Sequence, residues 1–246
     1  MGANDAVRIT NLVKKYGPVV AVENLTLTVA KGTMFGFLGP NGSGKSTLVN
    51  CICGTLQNET GSVRFDGHAL DGTSAHQRTR RGLSRTFQLP RPFASLSLAD
   101  NLRVPLLYTV APRGGAHGAA DAIEDRCLAL LREVGLDGKA KRLPRELTQV
   151  EMRKLELARA MAAEPKLLIA DESMAGLTHS EVEEILALLM RLNAQGVTII
   201  LIEHIMRAVM SFSQRLVVLV SGRKIADGDP EVVVRDPEVE RAYLGQ

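Results

Sequence analysis

Apolar and polar positions alternate at the start of the chain. In Val7-Arg8-Ile9-Thr10-Asn11-Leu12-Val13 they trade places as a half-buried strand requires, and a Tyr16-Gly17-Pro18 turn leads into a second strand-like stretch, Val19 to Val29. Further on the pattern shifts to short, mainly apolar runs. Thr33 to Leu38, Leu167 to Ala170, Val197 to Ile202 and Leu216 to Val220 are far too short to cross a bilayer and suit strands buried on both faces of a parallel sheet. Ser62 to Gly67 predicts a strand running into a turn, and Leu83 to Phe87 predicts another. From Pro90 to about Ala163 the period is helical, passing through a glycine-rich surface loop at Gly114-Gly115-Ala116-His117-Gly118. From Lys166 onward strands and helices alternate as in βαβ units. The expected fold is α/β: a mostly parallel sheet flanked by helices, an N-terminal antiparallel β portion and an inserted helical portion. Residues 1–246 form one domain in this reading, with 1–89 and 164–246 as its core and 90–163 as the helical insert.

Composition narrows the function classes. The 246 residues supply enough chain for a substantial core, and 45% hydrophobic with 23% charged residues is ordinary for a globular protein. Thirty basic against 27 acidic side chains is too even a balance to argue for nucleic acid. Two local basic clusters, Arg78-Thr79-Arg80-Arg81 and Lys139-Ala140-Lys141-Arg142, read as solvated faces. Cys51, Cys53 and Cys127 make no disulfide framework and no zinc spacing, and read as small buried hydrophobes in a reducing compartment. The N-terminus, with Asp5 and Arg8 and no apolar segment, shows no signal-peptide pattern.

The chemistry is concentrated in Gly39-Pro40-Asn41-Gly42-Ser43-Gly44-Lys45-Ser46-Thr47. This string satisfies G-x-x-x-x-G-K-[ST] and stands between a predicted strand and a predicted helix, the context a phosphate-binding P-loop needs. Its three glycines let the backbone curl so that successive N–H groups face one anion, and the helix that follows adds the positive end of its dipole. Lys45 is expected on the β- and γ-phosphates and the Ser46 hydroxyl on Mg²⁺, so the chain is expected to bind a nucleoside triphosphate.

A second group of residues completes the expected site. Leu167-Leu168-Ile169-Ala170 ends in Asp171-Glu172. That strand is expected beside the P-loop strand, with Asp171 delivered to the Mg²⁺ shell and Glu172 placed to polarise a water for attack on the γ-phosphate. Gln88 and His204, each just after a predicted strand, are candidate sensors of the metal and the γ-phosphate.

With these residues in view, the chain resembles the ATP-binding subunit of an ABC transporter along essentially its whole length. Tyr16 resembles the aromatic that stacks on adenine, Gly39 to Thr47 the Walker A loop, and Gln88 the glutamine loop that couples to membrane helices. Asp171-Glu172 resembles Walker B with its catalytic glutamate, Ala175-Gly176-Leu177-Thr178 the D-loop, and His204 the switch histidine. Ser84-Arg85-Thr86-Phe87-Gln88, Met174-Ala175-Gly176-Leu177, Ile202-Glu203-His204 and the segment Asp236 to Gly245 are similar to the branch serving branched-chain amino-acid importers. The resemblance implies ATP and Mg²⁺ as cofactors. It also implies membrane permease subunits and a second ATP-binding subunit as partners, an extracytoplasmic substrate-binding protein as an indirect one, and a peripheral location on the cytoplasmic face of the membrane. The substrate class it implies is branched-chain or other small amino acids or related amides.

The signature segment departs from the family's Leu-Ser-Gly-Gly-Gln. Here it reads Leu147-Thr148-Gln149-Val150-Glu151, followed by a regular helix from Met152. In the family, two subunits dimerise head to tail, each ATP lying between one P-loop and the other subunit's signature. Thr148 keeps a hydroxyl, Val150 replaces a glycine whose bare backbone approaches the γ-phosphate, and Glu151 brings a carboxylate toward a polyanion. Ser173 and Thr178 also depart from the usual proline and Asp or Asn. The chain's own P-loop, Asp171, Glu172 and His204 are intact, so a heterodimer with one working and one degenerate site is expected. A competing reading is an ATP-binding regulator or scaffold with little hydrolysis. A GTPase is disfavoured, since no Asn-Lys-x-Asp motif is present.

Overall fold

The computed structural model describes residues 4–86, 90–113, 120–203 and 206–244. In chain order the principal elements begin with β1 (Asp5–Tyr16), β2 (Val19–Ala30), β3 (Met34–Leu38), α1 (Lys45–Cys53), β4 (Thr60–Phe65), β5 (His68–Ala69) and α2 (Ala75–Arg80). They continue with β6 (Leu83–Arg85), α3 (Leu98–Pro105), α4 (Ala120–Glu133), α5 (Gln149–Ala162), β7 (Leu167–Asp171) and α6 (His179–Ala194). The chain closes with β8 (Thr198–Ile202), α7 (Met206–Phe212), β9 (Arg215–Val220), β10 (Arg223–Gly228), α8 (Pro230–Val233) and α9 (Pro237–Leu244). Two compact units divide the chain: residues 1–78 with 190–246, and residues 79–189.

In the first unit the alternating N-terminal pattern becomes an antiparallel sheet. Val7 pairs with Val29, Ile9 with Leu27 and Leu12 with Leu25, and all six side chains are buried. The other edge of β1 pairs with β4 through Val7↔Phe65 and Ile9↔Val63, and β4 pairs with β5. The apolar runs form a second sheet, in which β3 lies between β8 and β9 with all three parallel, through Phe35↔Ile200 and Gly36↔Leu216. β10 pairs antiparallel with β9. Every residue of β8 is buried, as is the centre of β9, so these strands have no solvent face on which polar side chains could alternate. Both edges of β3 are therefore taken, and the expectation that the Leu167 strand runs directly beside the P-loop strand does not hold.

The second unit contains a parallel pair, β6 and β7, in register through Leu83↔Leu167 and Arg85↔Ile169. Its remainder is largely helical, with α3, α4 and α5 packed against one another. Leu98, Leu102, Leu130, Leu131, Leu155 and Ala158 are fully buried on their inner faces. Ser97 starts α3 by accepting the Asp100 N–H at 3.1 Å. Pro105 at its end has no N–H to donate, and a π-helical turn, Leu106–Val110, follows.

The three cysteines are free and buried, as expected. Arg78 corrects its reading as a solvated charge. It is 6% exposed, and its guanidinium donates to the carbonyls of Cys51 and Ile52 at 2.7 and 2.8 Å and of Leu70 at 2.9 Å. One side chain thereby satisfies carbonyls at the C-terminal end of α1, which an α-helix leaves without partners of its own. Among the described residues no helix is long and apolar enough to cross a membrane.

Candidate functional site

The loop from Gly39 to Thr47 joins β3 to α1 in the first unit. Gly42 and Gly44 adopt φ of 79° and 98°, left-handed values that L side chains rarely take. Space constrains Gly44 further: a β-carbon there would lie 2.3 Å from the Ala21 carbonyl oxygen. The loop is anchored by Ser43 N–H to Pro40 O at 3.1 Å and by Gly222 N–H to Ser43 O at 2.9 Å. Lys45 is buried, and its ammonium donates to Gly39 O at 2.5 Å, Pro40 O at 3.1 Å and Ser43 Oγ at 3.3 Å. The cation is thus pinned across the mouth of its own loop. Gly44, at the N-cap of α1, offers no side-chain cap, and the first turn of α1 holds no acidic residue. Helix dipole, backbone N–H groups and Lys45 together make a positive cradle suited to phosphate oxygens. Asn41, Gly42 and Ser46 are exposed, and Thr47 is half-buried. Tyr16, at the end of β1, is 49% exposed.

In the second unit β7 ends at Asp171, whose carboxylate is buried and accepts from Arg85 Nη2 at 2.5 Å. The Asp171 N–H meets Thr86 Oγ1 at 3.3 Å, and Thr86 N–H donates to Ile169 O at 3.0 Å. Glu172 follows with φ 47°, the left-handed region, so its side chain leaves the strand in a different direction from that of a continuing strand. Among the described residues no three His, Cys, Asp or Glu side chains gather into a metal site. A single buried carboxylate fits Mg²⁺, which characteristically binds through one or two carboxylates together with substrate phosphates. Gln88 and His204 lie outside the described residues.

The signature segment forms the start of α5. Thr148 is its N-cap: Oγ1 accepts the Glu151 N–H at 3.3 Å, and Glu151 Oε2 accepts the Thr148 N–H at 3.0 Å, a closed capping box. Lys139 clamps the same carboxylate at 2.6 and 2.8 Å. The Lys139 hydrogen bond, then that from the Thr148 backbone, holds the Glu151 carboxyl below the usual carboxylate range. Glu151 is therefore not a bare negative charge but one already neutralised within its own chain. Val150 is half-buried at the second helical position. Gln149 Nε2 donates to the Ala175 carbonyl at 3.3 Å, tying the signature to the segment Ala175-Gly176-Leu177-Thr178. Gly176 is left-handed at φ 80°. The Thr178 hydroxyl donates to Glu181 Oε2 at 2.8 Å and starts α6, so its hydrogen is already used locally.

Sequence reasoning gave no role to Arg85 or Lys139. Arg85 sits inside a string singled out only for family likeness, and Lys139 was absorbed into a basic cluster. Both signals lay in a charge whose partner is distant in sequence, which spacing alone does not reveal.

Residues 22–175 match the ABC transporter family, and residues 223–246 match the family described as branched-chain amino acid ATP-binding cassette transporter. The high-affinity branched-chain amino acid transport ATP-binding protein BraF of Pseudomonas aeruginosa is 35% identical, with 98% of each chain covered. The protein of the same description called LivG from Escherichia coli is 34% identical over 97% of each chain. Among solved structures, an ATP-binding cassette of an ABC transporter in its ADP conformation superposes with a TM-score of 0.87 at 29% identity, covering 98% of this chain and 99% of the other.

Proposed function

Because the chain belongs to the ABC transporter family of ATP-binding cassettes, we propose that it is the ATPase subunit driving import of branched-chain or other small amino acids, or related amides, through membrane permease subunits. It sits peripherally on the cytoplasmic face of the membrane and works as a heterodimer with a second, different ATP-binding chain. An extracytoplasmic binding protein delivers the substrate. Support for the substrate class comes from the near full-length likeness to BraF and LivG and from the match of residues 223–246.

In this reading the P-loop backbone and Lys45 grip the phosphates, and Tyr16 stacks on adenine. Ser46, Asp171 and Gln88 would hold Mg²⁺, which would supply positive charge against the phosphates. Glu172 takes a proton from the attacking water as its oxygen bonds to the γ-phosphorus and the bond to the β-phosphate oxygen breaks, yielding ADP and phosphate. His204 orients the γ-phosphate. Arg85 holds one oxygen of Asp171 and so fixes the carboxylate.

The observation that carries the heterodimer is the closed start of α5. Thr148 and Glu151 satisfy each other, Lys139 neutralises Glu151, and Val150 puts a branched side chain at the second helical position. Such a helix start is poorly suited to a partner's ATP, while the sequence keeps Lys45 and Glu172 for this chain's own. Intact mass of the native detergent-solubilised assembly is expected to show this chain with one different ATP-binding chain and two membrane subunits. Two copies of this chain without another ATP-binding chain would overturn the heterodimer and favour a slow, regulatory cassette.

Val150→Gly in the assembled complex is expected to raise ATPase rate about two- to fivefold, the effect of removing roughly 0.5–1 kcal/mol from the barrier. Steady-state phosphate release checks it, and an unchanged or lower rate counts against a degenerate site built on Val150.

A further inference from the structure

Tyr16 ends β1 with its side chain exposed. β1 and β2 pair as far as Tyr16↔Val19, but β1 and β4 pair only as far as Val13↔Thr60. The edge of Lys14, Lys15 and Tyr16 thus runs on past the end of its neighbour, where backbone groups need another partner. Glu59, just before β4, takes over that role. Its N–H donates to Val13 O at 2.9 Å, and its Oε2 accepts the Lys15 N–H at 2.9 Å. Its Oε1 accepts the Lys14 ammonium at 2.8 Å. So held, the ammonium lies over the Tyr16 ring, 5.7 Å from the centroid, within reach of the ring's negative face. The mutual hydrogen bond lowers the Glu59 pKa and raises that of Lys14, so both stay charged across the neutral range.

We infer that Glu59 and Lys14 are positioning residues for nucleotide binding: Glu59 extends the sheet edge, Lys14 occupies one face of the Tyr16 ring, and the base stacks on the other. The inference rests on Tyr16 as the base-stacking residue. Neither charge touches the nucleotide. Their effect is to present a pre-oriented ring, which spares binding the cost of ordering it.

The test uses the full-length chain and calorimetric titration with ATP and with inorganic tripolyphosphate, which has no base. Lys14→Met and Glu59→Gln are each expected to weaken ATP binding about three- to fivefold while leaving tripolyphosphate unchanged. In a Tyr16→Ala background, Lys14→Met is expected to add no further loss, since no ring remains to position. Equal losses for both ligands would make the pair a general support of the fold and overturn the inference. So would an additive loss in the Tyr16→Ala background. If Tyr16→Ala binds ATP like the unaltered chain, the stacking assignment falls and takes the inference with it. If Tyr16→Ala weakens ATP while Lys14→Met and Glu59→Gln do not, the positioning role alone falls.

Discussion

Glu172→Gln is expected to reduce ATP turnover by about 10²- to 10⁴-fold, the range general-base catalysis contributes, with ATP affinity unchanged. The substitution keeps the shape of the side chain and removes only the charge proposed to take up the proton. It also leaves backbone energetics nearly as they were, because Glu and Gln meet the left-handed φ of 47° with the same steric cost. Affinity is expected to survive because the phosphate cradle is made by another stretch of chain, where Lys45 is pinned by the carbonyls of Gly39 and Pro40. Single-turnover phosphate release in the assembled complex, measured beside equilibrium ATP binding, separates the two. Turnover within about threefold of the unaltered complex would remove Glu172 from the base role, because a lost general base costs far more.

Gly44→Ala is expected to remove ATP binding and to destabilise the chain by about 2–4 kcal/mol. Left-handed backbone costs an alanine roughly 1–2 kcal/mol, and the new β-carbon adds a steric conflict. The atom it meets, Ala21 O at 2.3 Å, is backbone and has no rotamer by which to withdraw. Either the loop lifts from β2 or β2 shifts, and both disturb the cradle. For a chain of this size the melting temperature is expected to fall by roughly 4–16 °C, and the rise that ATP normally produces is expected to disappear. Gly42→Ala is the internal comparison. Its φ of 79° is as unfavourable, but nothing lies within 4 Å of the added carbon, so the smaller cost of strain alone is expected. Equal behaviour of the two variants would show that the contact with Ala21 is not what matters.

The features legible in the sequence were those written in local pattern. The P-loop announces itself by spacing, the N-terminal hairpin by alternation and a Gly-Pro turn, and the central strands by apolar runs with no polar face. Long-range partnership was not legible. β8 and β9 both read as buried parallel strands, yet nothing in either run says that they flank β3. Arg78 looked like one of a row of surface cations because its acceptors are backbone carbonyls, and carbonyls carry no residue identity. Glu151 read as a charge aimed at phosphate, because the lysine that neutralises it is on another turn of chain and the capping box needs a geometry that composition does not specify.

The closed start of α5 bears on how such a segment changes over generations. A helix whose first turn is completed by its own threonine, glutamate and a nearby lysine folds equally well whether or not a foreign nucleotide ever docks there. Replacements at Gln149 and Val150 thus leave the capping box itself intact, because neither side chain is part of it. In the proposed heterodimer a partner with an intact signature would mask their effect on ATP binding, and a lineage in that position would be free to let one of its two sites drift while the other is held.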